Sequence, residues 1–393
     1  MHGYRADVAF DGERRLPGGA LVLVDQGVIV AVEPAATPAP DGCPVTHGAA
    51  VLPGLIDTHV HLCGDSSPHA LDRIAGLSAD ELEAVITAAL EEHLRAGVTA
   101  VRDLGDHRWA VVERRRSNDG GPTVVASGPP LTIPGGHCWE MGGEARGPGP
   151  LRAAVRERVE RGAGVVKIMV SGGVLTPGTD VLACQFTPDE VRAVVDEAHR
   201  HGLPVTAHAH GLPAVERALE SGVDGIEHCS CLTRDGARLP RALADRLVDS
   251  QVLVCPTVGR VPGMEPPPHV QARLAAIGTT FEDHLAHVVQ LQKAGVTFLA
   301  GTDAGIGPSK RHGLVPMAVA DLVACGAPAE AALTAATGLA ARACGLQQRT
   351  GRLAAGLDAD LLLVDGDPLE DVTVLQQPRA VVSRGRQVPL PLG

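Results

Sequence analysis

Between residues 54 and 303 the chain returns eight times to one pattern, a short apolar run followed by an amphipathic stretch. The runs are GLIDTHVH (54–61), VTAVRDL (98–104), TVVAS (123–127), VVKIMV (165–170), PVTAHAH (204–210), VDGIEHC (223–229), QVLVCP (251–256) and VTFLAGTD (296–303). Near-continuous apolar strands alternating with helices call for a parallel sheet buried on both faces. Eight such units in roughly 300 residues close into a (β/α)8 TIM barrel of the α/β class. Two helix starts are explicit. Ser78 with Glu81, and Thr187 with Glu190, read as capping boxes, the second with Pro188 at the first helical position.

The two ends of the chain do not fit the barrel pattern. ALVLVDQGVIVAVE (20–33) reads as two short strands around an Asp-Gln-Gly turn, and GRLAAGLDADLLLVDGDPLEDV (351–372) holds one buried run between Gly/Asp turns. Both ends are expected in one small β domain, which divides the chain into 1–53, 54–348 and 349–393. Two long Gly/Pro-rich segments, 128–150 and 256–270, follow the third and seventh strands, where barrel loops carry function.

Side chains alternate along a strand, so Asp57, His59 and His61 share one face of the first run. Two imidazoles so placed can reach one metal ion. Barrel active sites form at the C-terminal ends of the strands. Those ends also offer Lys167 on the fourth run, His208 and His210 on the fifth, Glu227 and His228 on the sixth, and Asp303 on the eighth. Lysine is rare: Lys167, Lys293 and Lys310 are the only three among 34 basic residues. A desolvated lysine such as Lys167 in VVKIMV can lose its proton, which arginine cannot. The neutral amine can add carbon dioxide, and the resulting carbamate can bridge two divalent cations. The bland alternative is a lysine paired with a core carboxylate.

A net charge of -12 without a basic run argues against nucleic acid or an anionic membrane as partner. No apolar stretch approaches the ~20 residues of a membrane span. The N-terminus has no signal-peptide core. Nine scattered cysteines without a Cys-x-x-Cys pair read as reduced thiols, Cys229 and Cys231 of HCSC included. The expectation is a cytoplasmic enzyme with a small-molecule substrate, and a homo-oligomer is compatible with it.

HVH on the first run, lysine on the fourth, histidines on the fifth and sixth, and GTDAG on the eighth resemble the amidohydrolase superfamily. The terminal segments look like its split β-sandwich. VVKIMVSGGV, VTAHAHG, GIEHCS and HGL (312–314) resemble its Xaa-Pro dipeptidase and imidazolonepropionase-like branch. The resemblance implies two divalent metals, zinc first among the candidates. His59, His61 and Asp303 would hold one and His208 and His228 the other, with carboxylated Lys167 between them. Asp303 would also shuttle the proton. His137 in the GGHCWEM loop and His210 would face the substrate, with Trp139 lining the pocket. Histidine at position 210, where related dipeptidases often have tyrosine, is a departure from the pattern. Asp57 would either orient a histidine or satisfy backbone groups one layer below. Arg102 would pair a substrate carboxylate or make a salt bridge with Asp103 or Asp106. His199 and His201 close a helix, and His93 is expected on a solvated helix face.

The implied activity is hydrolysis of an amide bond in an Xaa-Pro-like dipeptide or an N-acyl amino acid. Rivals are a cyclic-amide hydrolase, a deaminase and a lactone or organophosphate esterase. The bridging lysine weighs against the deaminase. A non-catalytic, metal-stabilised binding protein would have no use for the proton shuttle Asp303.

Overall fold

The computed structural model describes residues 1–114 and 121–390. Seven of the eight runs are strands. Leu55–Val60, Val98–Asp103 and Thr123–Ala126 form one parallel sheet. Val166–Met169, Val205–Gly211, Gly225–Thr233 and Leu253–Cys255 form a second. Two seams join these sheets into a ring. At the first, Leu131 bridges the third strand position to the fourth: its N–H donates to the Lys167 carbonyl and its own carbonyl accepts from Met169, both at 2.8 Å. At the second lies the eighth run, which is not a regular strand. It meets its neighbours through single bridges, Phe298 with Val254 and Ala304 with Val60. Its end departs from extended backbone at Asp303, whose φ of 60° is left-handed.

Helices follow the strands as the pattern requires. Both expected capping boxes are formed, Ser78 with Glu81 and Thr187 with Glu190, and a third joins Thr280 to Asp283. On helix Ala79–Arg95 the buried residues are Leu82, Ile86, Ala89, Leu90 and His93. This corrects the expectation for His93. It stands three residues beyond Leu90 on the apolar face, is fully buried, and meets His312 at 3.2 Å.

Both ends of the chain enter one eight-stranded sheet. Ala20–Asp25 and Val28–Glu33 form the expected hairpin, turning through Gln26 (φ 48°) and Gly27 (φ 86°), as a two-residue turn matched to strand twist requires. Val45–Pro53 lies between the N-terminal strand His2–Phe10 and the C-terminal strand Leu361–Val364. Alternation gives the sheet two apolar faces. Leu52, Leu362, Val364 and Val381 join the core shared with the barrel, while Val51, Leu361, Leu363 and Val382 join a separate core. Val45–Pro53 then passes through Gly54 directly into Leu55–Val60, the strand that carries His59.

Leu362 is fully buried where the sheet meets the barrel, and a Cβ on Gly97 would lie 2.9 Å from its Cδ1. Leu362→Ala should therefore destabilise the protein by about 2–5 kcal/mol, read from urea unfolding. A change below about 0.5 kcal/mol would mean that the two parts do not depend on this contact.

Candidate metal centre

The first strand presents His59 and His61 into the barrel mouth. Their Nε2 atoms lie 3.2 and 3.1 Å from Oδ1 of Asp303. The opposite ring nitrogens are committed. Nδ1–H of His59 donates to Oε2 of Glu227 at 2.7 Å, and Nδ1 of His61 faces the Gly105 carbonyl at 3.3 Å. Both Nε2 lone pairs are thereby aimed at one point beside a carboxylate, the arrangement a divalent ion needs. Burial works against the Asp303 charge, but the two histidines hold its carboxyl well below the usual range.

His208, His210 and His228 make a second cluster. His208 uses Nε2 on the Gly172 carbonyl at 3.2 Å, which leaves Nδ1 for the site. His228 is held through Nδ1 by the Thr257 hydroxyl at 2.8 Å, and its ring stacks on His210 with centroids 4.4 Å apart. His210 meets the Ser230 hydroxyl at 3.0 Å. Burial, reinforced by neighbouring imidazoles, pushes His208 and His228 well below the ordinary histidine range and His210 to about 3. Neutral imidazoles are the form that binds metals.

Lys167 lines the same cavity as both clusters. It is 1% exposed, and its Nζ has no hydrogen-bond partner among the described residues. Burial lowers its pKa, against the charges of Glu227 and Asp303. An unpartnered buried ammonium is costly, so the site fits a neutral amine better than a core salt bridge. Buried nitrogen donors, a carboxylate and this amine together suit divalent ions such as zinc.

Behind these side chains, Asp57 takes the second of its two expected roles, Arg102 takes a different salt-bridge partner, and Glu227 takes a role that the sequence does not assign. Asp57 is fully buried and accepts from the N–H groups of His59 and Thr302, both at 3.1 Å, and from the Thr302 hydroxyl at 2.6 Å. It therefore ties the first strand to the eighth and orients no histidine ring. Burial pushes it up to about 6. Arg102 is out of reach of a substrate. Its guanidinium donates to the Thr58 carbonyl at 2.8 Å and to Glu227 at 3.1 Å, so its salt-bridge partner is Glu227 and neither Asp103 nor Asp106. Glu227, to which the sequence alone assigns no role, accepts from His59, Arg102 and Thr206. Strict alternation would send it away from His228. The left-handed backbone of His228 (φ 65°) breaks that alternation, and the only sequence signal is an acid inside an apolar strand.

The cavity above the ligands has a volume of about 220 Å³. Leu71, Met169, Val174, Val270, Leu274 and Phe281 supply its apolar wall. His137 is buried and lines it, with Nδ1 on the Thr176 hydroxyl at 2.8 Å and its ring 4.5 Å from His208. Gly173 makes room for it, since a Cβ there would lie 2.2 Å from His137 Nε2. Trp139 does not line the cavity. It starts a short 3-10 turn and is 43% exposed, and Cys138 faces inward in its place.

Glu227→Gln would strand the Arg102 charge in the core. It should cost about 3–5 kcal/mol of stability in urea unfolding. Combining it with Arg102→Met removes the orphan charge and should recover most of that loss. A double variant as unstable as the single one would show that the ion pair is not the cause.

Comparison with known proteins places the chain in a family. Residues 50–388 match the amidohydrolase family. The ochratoxinase of Aspergillus niger is 32% identical over 382 residues, covering 86% of this chain and 74% of the ochratoxinase. The imidazolonepropionase of Salinispora tropica is 28% identical over 393 residues, covering 91% of this chain and 88% of that enzyme. A solved Xaa-Pro dipeptidase with methionine bound in its active site is 26% identical, covers 98% of this chain and 99% of that one, and superposes with a TM-score of 0.83. The chain therefore belongs to the amidohydrolase family and is a hydrolytic enzyme built on its barrel.

Proposed function

We propose that the enzyme is a binuclear metallohydrolase that cleaves the amide bond of a dipeptide or N-acyl amino acid. The observation that carries this reading is the buried, unpartnered Nζ of Lys167 in a cavity shared by two separate clusters of metal-binding side chains. In it, His59, His61 and Asp303 would hold one ion and His208 and His228 the other, and Lys167, once carboxylated, would serve as a ligand shared by both. Zinc is the expected ion. Two bound divalent ions supply a water activated at neutral pH and polarise the amide carbonyl.

The chain's own residues do the rest. Asp303 meets both histidines through Oδ1, which leaves Oδ2 to orient the attacking water and carry its proton to the leaving amine. His137 and His210, neutral with pKa values of about 3, offer hydrogen bonds to the substrate without adding charge. The apolar wall accepts a hydrophobic arm and excludes bulk water around the reacting carbonyl. An ochratoxinase and a Xaa-Pro dipeptidase among the similar proteins support a linear amide. A cyclic amide is the second reading, supported by the imidazolonepropionase.

The same reading makes residues 54–348 the catalytic barrel, and 1–53 with 349–393 an accessory β-sandwich. The shared terminal sheet and its separate core support that division. Nine free cysteines support a reducing, cytoplasmic setting. Among the described residues no helix is long and apolar enough to cross a membrane.

Protein produced with zinc and bicarbonate should contain about two ions per chain by mass spectrometry. Lys167→Ala should keep at most one, and retention of two with full activity would overturn the bridging role. Asp303→Asn should lower turnover of an N-acyl amino acid at least a hundredfold. Near-wild-type rates would remove Asp303 from proton transfer.

A further inference from the structure

Two of the chain's three lysines, Lys167 and Lys310, line the same cavity, and the third, Lys293, is exposed on helix Phe281–Ala294. Where a plain surface charge suffices this sequence uses arginine, so Lys310 calls for its own explanation. It sits in the segment after the eighth run, folded back by a turn in which its N–H donates to the Gly307 carbonyl at 2.9 Å. Its half-buried ammonium donates to the carbonyls of Thr257 and Gly259, at 2.6 and 3.0 Å. Both partners are neutral. No ion pair joins Lys310 to a carboxylate among the described residues. Asp321, which flanks it, is occupied by the Gly259 N–H at 2.8 Å. Arg260, the other cation of the wall, is already paired with Glu282 at 2.8 Å and lies over the Phe281 ring. An ammonium has three N–H donors, and two carbonyls fix its position while leaving the third for a ligand.

We infer that Lys310 is the specificity-determining counter-ion for a free carboxylate on the substrate. The Phe281 ring, 5.6 Å from Nζ, would pack the apolar side chain beside that carboxylate. The preferred substrate class is then an N-acyl amino acid with an apolar side chain and an unblocked carboxylate. This inference rests on the amide-hydrolase reading and sharpens it. Lysine suits the task because it acts as a point charge whose donors can be divided between the protein and one carboxylate oxygen.

The test compares N-benzoyl-L-phenylalanine with its carboxamide, which differs only in the charge at that end. Zinc-reconstituted wild type and the variants Lys310→Met and Lys310→Arg are assayed for benzoate release, for binding by calorimetry and for metal content. Wild type should favour the acid about a hundredfold in kcat/KM and bind it more tightly. Lys310→Met should bring that preference within a few-fold while keeping its metal, and Lys310→Arg should restore part of it. Equal treatment of the two compounds by wild type, or an undiminished preference in Lys310→Met, overturns the inference. So does an equal fall on both compounds with loss of metal, which would make Lys310 a brace for Thr257 and His228. If neither compound is cleaved but the acid still binds better in a Lys310-dependent way, the carboxylate site stands and the amide-hydrolase reading fails.

Discussion

The buried carboxylate of Glu227 is the interaction on which the centre depends. It has no solvent contact, yet it accepts from His59 on the first strand, Arg102 on the second and Thr206 on the fifth. Glu227 belongs to the sixth strand, so one side chain ties four strands across the barrel axis. Burial opposes its charge, and the His59 N–H and the Arg102 guanidinium overcome that opposition and hold its carboxyl below the usual range. A barrel interior is normally filled by branched apolar residues. Here its upper layer is ionic: Glu227 is matched to His59 and Arg102, and Asp303 to His59 and His61, whereas Lys167 is an exception whose Nζ has no hydrogen-bond partner among the described residues. The exception lies where carboxylation would turn a buried liability into a ligand.

The polar layer is aimed by strained backbone. His228, Thr257 and Asp303 all have positive φ, at 65°, 51° and 60°. Such conformations cost about 1–3 kcal/mol each and persist only where the surroundings over-determine them. Thr257 is the sharpest case, because its β-branch makes the left-handed region especially unfavourable. Its hydroxyl holds His228 and its carbonyl holds Lys310. One strained residue thus faces the proposed metal ligand on one side and the proposed carboxylate reader on the other.

Much of this was legible in the sequence, and the limits have physical causes. Near-continuous apolar runs located seven barrel strands, since burial on both faces leaves few alternatives. Ser78, Thr187 and their glutamates marked helix starts because a capping box is a local device. The eighth run escapes regular structure where the left-handed backbone of Asp303 turns its end into the site. Arg102 found its partner 125 residues away, and no local pattern could distinguish Glu227 from the nearer Asp103 and Asp106. His93 was misplaced because polarity suggested solvent, whereas helical spacing from Ile86 and Leu90 put it in the core. Trp139 was misjudged because an aromatic in a long loop has no period to fix its direction. The rarity of lysine did point to Lys167, and the same signal applied to Lys310, although its role depends on loop packing that sequence does not encode.

The terminal sheet bears on the centre through the chain itself. Val45–Pro53 is paired on both sides, to strands from the beginning and the end of the chain. It continues through Gly54, whose N–H donates to the Asp360 carbonyl at 2.9 Å, into the strand of His59 and His61. A Cβ on Gly54 would lie 2.2 Å from Thr99 Oγ1, so sheet and barrel meet there at the closest approach a backbone allows. The first pair of proposed ligands is therefore held from below by a strand that continues one paired on both edges, and His59 also from the side by Glu227. A centre that must hold several donors on one ion gains from that double constraint, because donors fixed in advance lose little freedom when the ion binds.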